Sequence, residues 1–387
     1  MTRVALIHDW LTGMRGGEAV LEAIVELFPR AELFTLIATP EKISPQLRSL
    51  PTHTSWLQKI PKSEAKYRHF LPLMPSLIEG FDLSGFDLIV SSSHCVAKGI
   101  KKAPNAVHLS YVHAPMRYIW DRYDEYFGPG QASTAVRLAA RIVRPSLQAW
   151  DLRVSSPARV NTLIANSHFI AEQIKNAYHR DAQVIHPFSS SERFSGPRNP
   201  GKAYLIVSAF APYKRLDLAI RAFNRMKLPL KIVGSGQNEK SLREIAGPRI
   251  EFLGALSNAK VAQLYSECKA LIFPGVEDFG ITPLEAMAAG APVIALKRGG
   301  VLETVTEETG IFFDSPNKNP QADEIESSLI EAVQKLESGQ IKISEVACRI
   351  RAAWFSRDRF KSKLAGAIRE TWKAAGKNPD DFPDISA

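Results

Sequence analysis

The sequence predicts an α/β protein built from two doubly wound halves. Three observations lead there. The chain has 387 residues, more than one hydrophobic core usually supports. Short apolar runs alternate with segments of helical spacing along almost its whole length. That alternation restarts after "SGPRNPGK" (195–202), whose two prolines and two glycines mark a linker.

The first half opens on "RVALIH" (3–8), a continuous apolar run expected to form a buried strand. "GGEAVLEAIVELF" (16–28) follows, with Val20, Ile24, Leu27 and Phe28 at helical spacing. The runs "AELFTLI", "DLIVSSS", "AVHLSYV", "VNTLIANS" and "AQVIHP" read as further strands of a parallel sheet. In the second half "AYLIVSA", "LKIVGS", "IEFLGA", "KALIFPG", "APVIALK" and "TGIFFD" are strands, each leading into a helix-like segment. The tail 344–376 is strongly helical with no strand after it, so it either caps the second half or crosses back to the first. The expected divisions are 1–196, 197–356, and a C-terminal helix and tail at 357–387. Open α/β sheets bind ligands beyond the carboxyl ends of their strands, so two facing sheets would share one cleft.

Apolar residues make up 45% and charged residues 23% of the chain, as in an ordinary globular protein. Cys95, Cys268 and Cys348 are widely spaced and odd in number, which fits neither a disulfide framework nor a metal pair and favours a reducing cytosol. "MTRVALIHDW" lacks the pattern of a secretory leader, and no apolar run is long enough to span a membrane. The net charge of +9 predicts an anionic partner: a nucleotide, a nucleic acid or an acidic membrane surface.

The most informative stretch is "GVEDFGITPLEAMAAGAPVIA" (275–295). Thr282, Pro283, Leu284 and Glu285 have the form of a capping box with Pro283 at the first helical position, and on that reading Glu285 caps a helix. Glu277 alone is an ordinary loop acid. Together, near the end of a strand, the two carboxylates form a pair of pure acceptors suited to sugar or ribose hydroxyls.

This E-x7-E arrangement resembles the signature of the retaining GT-B glycosyltransferases of family 4, which use nucleotide sugars. The resemblance implies that Glu277 contacts the donor sugar, that Glu285 holds the ribose, and that loop amides around Phe279, Gly280 and Ile281 reach the sugar or diphosphate. "YVHAPMRYIWD" (111–121) is similar to bacterial surface-polysaccharide mannosyltransferases. It implies that His113 lies beside the transferred sugar; Arg117, Trp120 and Asp121 either line the acceptor side or pack the next helix. "MRGGEAVLE" (14–22) matches the family's glycine loop and sets Gly16 and Gly17 next to the diphosphate or the reacting sugar. In "SAFAPYKRLDLAI" (208–220), Lys214 stands where the family has its diphosphate lysine, but Ala209 replaces the partner arginine, leaving Arg215 as the nearest substitute. The loop of Gly234 and Leu256 are placed at the nucleotide.

No metal or cofactor is expected, since GT-B enzymes generally manage without one. The expected donor is GDP-mannose, with a UDP-sugar as the alternative; the expected acceptor is a glycan or polyprenyl-linked saccharide. An epimerase and a non-catalytic sugar-nucleotide binder are the competing classes. The segments 56–75 and 137–153 mix Lys59, Lys62, Lys66, Arg68, Arg137, Arg141 and Arg144 with apolar residues. They suggest peripheral attachment to the cytoplasmic face of an anionic membrane. Nucleic acid is excluded for want of an aromatic platform or groove-reading motif.

Overall fold

The computed structural model describes residues 2–383 apart from 129, 131, 190, 195, 315, 316 and 318–321. Ser195 of the expected linker and 384–387 of the expected tail therefore lie outside the described residues. The chain forms two compact units, Met1–His186 with Phe360–Ala387, and Pro187–Arg359.

The first unit holds a seven-stranded sheet of β1 (Val4–His8), β2 (Glu32–Thr35), β3 (Thr52–Thr54), β4 (Leu88–Ser93), β5 (Val107–Val112), β6 (Thr162–Ala165) and β7 (Gln183–Val184). Its order is β3-β2-β1-β4-β5-β6-β7, and every pairing is parallel. β1, β4 and β5 are buried along their full lengths, which is why they read as unbroken apolar runs in the sequence. β3 escaped that reading because "THT" is a short, polar, largely exposed edge strand. Helix α1 (Gly16–Leu27) buries Val20, Ile24 and Leu27 as its spacing predicts. The strand order reverses between β1 and β4, so the loops after these two strands diverge there and leave a crevice.

Helix α2 (Thr134–Val154) covers this unit with Leu147, Trp150 and Val154, while Val136, Leu138 and Ile142 on its earlier turns are exposed. Arg144 is not a free surface cation: its Nε donates to Ile119 O at 2.8 Å and its guanidinium lies 4.2 Å from the Tyr123 ring centre. In the 56–75 segment Trp56 is exposed, whereas Phe70 and Leu71 pack against the core.

The second unit holds six parallel strands, β8 (Tyr204–Val207), β9 (Leu230–Val233), β10 (Ile250–Gly254), β11 (Leu271–Phe273), β12 (Val293–Leu296) and β13 (Gly310–Phe313). Their order is β10-β9-β8-β11-β12-β13, with the reversal between β8 and β11. Helices α3 (Asn258–Glu267) and α4 (Ile281–Ala288) belong to it. Of the two placements open to the tail, helix α5 (Arg357–Ala374) takes the return to the first unit from Phe360 onward. Phe360, Leu364, Ile368 and Trp372, spaced one turn apart, are buried, and Thr371 Oγ1 donates to Thr162 Oγ1 at 2.9 Å.

Candidate functional site

Each unit gathers polar side chains at the point where its strand order reverses. In the first unit β1 ends in His8 and Asp9 follows it, and both are buried. The Asp9 carboxylate accepts from four successive backbone amides beyond β4: His94 and Cys95 at 2.7 and 3.1 Å on Oδ2, Val96 and Ala97 at 2.6 and 2.7 Å on Oδ1. It also takes the His94 ring Nδ1 at 3.0 Å. Burial pushes this carboxyl up, but the charge and hydrogen bond of His94 outweigh it and hold the group well below its ordinary value.

Ser92 Oγ lies 3.2 Å from His8 Nδ1 and 2.8 Å from His113 Nε2, so one hydroxyl bridges two imidazoles. Burial lowers both, His113 to about 3, and keeps them neutral near pH 7. Gly17, in the first turn of α1, lies against them: a Cβ there would sit 3.6 Å from His113 Nε2 and 3.8 Å from His8 Cε1. In the same turn Glu18 Oε2 accepts the Arg15 amide at 3.0 Å, which places an anion at this helix terminus beside Gly16.

In the second unit the loop after β8 delivers Lys214 and the loop after β11 delivers Glu277, and the two form a salt bridge. Both side chains are mostly shielded, at 13% and 22% exposure. The loops touch so closely that a Cβ on Gly275 would stand 2.7 Å from Lys214 Cα. Gly300 N donates to Glu277 O at 2.8 Å, which fixes the backbone behind the carboxylate.

The capping-box reading of Glu285 is overturned. Gly280 is the N-cap of α4 at φ 86°, a left-handed conformation that glycine adopts without penalty. Ile281 opens the helix, Pro283 is its third residue, and no side chain caps it. Glu285 instead lies on the helix body, where Tyr265 Oη of α3 donates to its Oε2 at 3.0 Å. Burial pushes its carboxyl up, against the pull of Tyr265 and Arg193.

The remaining expected residues are dispersed. Arg215 has φ 50° and its Nε donates to Asp217 Oδ1 at 3.2 Å, so its guanidinium is engaged within its own turn. Phe279 is buried against Phe355, at 5.7 Å between ring centres. Gly234 bends at φ 132° beneath the loop after β8, and Leu256 packs part-buried on the core. Arg117 follows β5; Asp121 is exposed and 3.6 Å from Arg122 Nε. Trp120 takes the packing role, its Nε1 donating to buried Asp151 at 2.8 Å.

The sequence reading missed His8, Asp9, Ser92 and His94. Their signal was present: "IHD" and "SSSH" are polar residues closing otherwise apolar strands, at the end where α/β ligands bind.

Two parallel Rossmann-like sheets of this order define a GT-B architecture. HepE of Anabaena, solved in complex with UDP, shares it with a TM-score of 0.64 at 14% identity, over 95% of this chain and 100% of that one. Residues 188–341 match the family described as glycosyl transferases group 1. An uncharacterized glycosyltransferase of Methanocaldococcus jannaschii is 30% identical over 171 residues, covering 42% of this chain and 48% of that protein. The O-antigen chain mannosyltransferase C of Escherichia coli is 28% identical over 197 residues, covering 46% and 52%. The chain thus spans about half the length of these relatives.

Proposed function

We propose that the protein is a retaining glycosyltransferase that moves mannose from GDP-mannose to a glycan or polyprenyl-linked saccharide in surface-polysaccharide synthesis. The observation that carries this reading is the Lys214–Glu277 salt bridge at the β8/β11 reversal, with Glu285 on the following helix. Sugar transfer breaks the bond between C1 and the diphosphate, and the electron pair leaves with the phosphate. Lys214 stabilises that charge, Glu277 accepts from sugar hydroxyls, and Glu285, already shaped as an acceptor for Tyr265, accepts from the ribose. With Ala209 in place of a second cation and Arg215 engaged by Asp217, the amides at Gly280 and Ile281 complete the anion site. At Gly16 and Gly17 the Glu18 carboxylate disfavours a phosphate and suits a neutral polyol. His113, held neutral, orients one of its hydroxyls.

Mannose as the sugar is supported by the Escherichia coli relative's name and by the stretch 111–121. Among the described residues no helix is long and apolar enough to cross a membrane. Attachment to the cytoplasmic leaflet is supported by exposed Lys59, Lys62, Lys66, Arg68 and Arg141 beside exposed Trp56, Leu138 and Ile142. Each such cation contributes roughly 1 kcal/mol near an anionic surface.

Calorimetric titration with GDP-, UDP-, ADP- and dTDP-sugars tests the donor, and product analysis with donor alone separates transfer from epimerisation. Lys214→Ala is expected to lower kcat by about 10²–10³ while the fold persists. Unchanged turnover in that variant would remove the diphosphate assignment.

A further inference from the structure

Glu277 and Glu285 are held in different ways. Glu277 faces a cation, Lys214. Glu285 faces a neutral donor, the Tyr265 hydroxyl, at 3.0 Å on Oε2, and no other hydrogen bond reaches its carboxylate among the described residues. That donor is fixed by its surroundings. Tyr265 is fully buried on α3, its ring edge-on to Phe194 at 5.6 Å between centres. Behind it the Arg198 guanidinium donates to the carbonyls of Tyr265, Cys268 and Lys269 at 3.4, 2.8 and 3.0 Å, which ties down the carboxyl end of α3. A buried hydroxyl without a partner is costly, so the phenol holds the carboxylate as firmly as it orients it. An ionised carboxylate only accepts, so Tyr265 is the donor of this bond. Burial pushes the Glu285 carboxyl up and the bond from Tyr265 draws it down, so the phenol favours the acceptor form as well as its orientation. With Oε2 engaged, Oε1 keeps its full acceptor capacity.

We propose that Tyr265 is a positioning residue for the donor's ribose: its hydroxyl fixes Glu285 by Oε2, so that Oε1 accepts from the ribose hydroxyls and a nucleotide lacking them is rejected. This rests on the glycosyltransferase reading above, in which Glu285 meets the ribose. Tyr265 itself touches no ligand. The gain is one of order: a free glutamate loses its rotamer freedom when it binds, whereas a carboxylate already held in place has none to lose. The couple also stands where it is needed. Tyr265 and Glu285 lie on α3 and α4, which flank β11 in the sequence, and β11 borders the β8/β11 reversal with Lys214 and Glu277.

The test titrates the full chain calorimetrically with GDP and with 2′,3′-dideoxy-GDP, in wild type, Tyr265→Phe and Glu285→Ala. UDP and its dideoxy analogue replace the guanine pair if the donor titration selects uracil. Wild type is expected to bind the ribonucleotide about 10–100-fold more tightly than the analogue, as hydrogen bonds to a charged acceptor allow. Tyr265→Phe removes one oxygen and keeps the ring that packs on Phe194. Its affinity for the ribonucleotide should fall about tenfold, while that for the analogue stays within about threefold of wild type. A loss of structure alone would weaken both nucleotides equally and leave the preference for ribose intact. A crystal structure of the wild-type GDP complex gives a second readout that needs no variant. Glu285 Oε2 should remain on Tyr265, with Oε1 in hydrogen-bond range of a ribose hydroxyl. An unchanged ribose preference in Tyr265→Phe, or a Glu285 that leaves Tyr265 when GDP binds, overturns the inference. An unchanged preference in Glu285→Ala overturns the assignment of Glu285 to the ribose, and wild type that binds no nucleotide sugar of the panel overturns the glycosyltransferase reading itself.

Discussion

Lys214 and Glu277 come from loops more than sixty residues apart, and each neutralises the other where β8 and β11 diverge. On the proposed reading, a diphosphate bound there would replace the lysine's carboxylate partner and free Glu277 for hydroxyls. Buried His108 shows the opposite economy, a polar group kept uncharged. Its Nε2 lies 2.8 Å from Ser91 Oγ and its Nδ1 lies 3.0 Å from Arg159 O, and burial lowers it to about 3. Below its ordinary value of 6.5 the unfolded chain binds a proton that the folded one refuses until about 3. Stability is therefore complete above pH 6.5 and declines as pH falls through that window, by about 1.4 kcal/mol per pH unit for this histidine. His108→Gln is expected to flatten the slope of unfolding free energy by that amount between pH 6.5 and 3, measured by denaturant titration at several pH values. An unchanged slope would place the acid sensitivity elsewhere. Residues such as Glu277, Glu285 and Lys214 were legible in the sequence because each sits in a local motif. Asp9 and His94 were not, because their partnership spans β1 and β4 and exists only once those strands pair.

At the scale of elements, both halves use one device: the strand that starts the second wing of the sheet lies beside the strand that started the first. Apolar periodicity revealed the strands themselves but not their order, which depends on parallel crossovers between distant segments. Local capping chemistry led to the wrong start for α4, since Thr-Pro-Leu-Glu has the form of a capping box and yet Gly280 turns the chain two residues earlier. Gly275 shows what such glycines do for function. Its missing side chain lets the loop after β11 press on the backbone of Tyr213 and Lys214, with Tyr213 O at 2.8 Å from where a Cβ would stand. Backbone cannot swing aside as a side-chain tip can, so Gly275→Ala must push Lys214 off its position. The expected result is a loss of about 1–3 kcal/mol in stability and at least a tenfold loss in kcat. Thermal unfolding and steady-state kinetics read the two separately. A variant with native kcat would mean that the loop tolerates displacement and that Lys214 is not sterically registered by Gly275.

For the whole molecule, the decisive feature is a first unit assembled from both ends of the chain. The stripe of Phe360, Leu364, Ile368 and Trp372 was recognisable as helical from its spacing. Its destination was not, because an apolar stripe records that it is covered without recording by what. Phe360 sits edge-on to Tyr111 of β5 at 5.6 Å between ring centres, and Lys361 Nζ pairs with Glu26 Oε2 at 3.1 Å. Four fully covered apolar side chains contribute roughly 6–12 kcal/mol, at about 1.5–3 kcal/mol each. That sum is comparable to the whole stability of a domain, about 5–15 kcal/mol. A chain ending at Arg359 should therefore lose the cooperative transition of the first unit in calorimetry. The transition of Pro187–Arg359 should remain, because its strands and both of its core clusters lie within that span. On the proposed reading, nucleotide-sugar binding would survive in weakened form through Lys214, Glu277 and Glu285, while transfer would be lost with the first unit. If the shortened chain kept both transitions at unchanged Tm, the returning helix would be an accessory, and the first sheet would have to be stable on the strands and helices of its own segment alone.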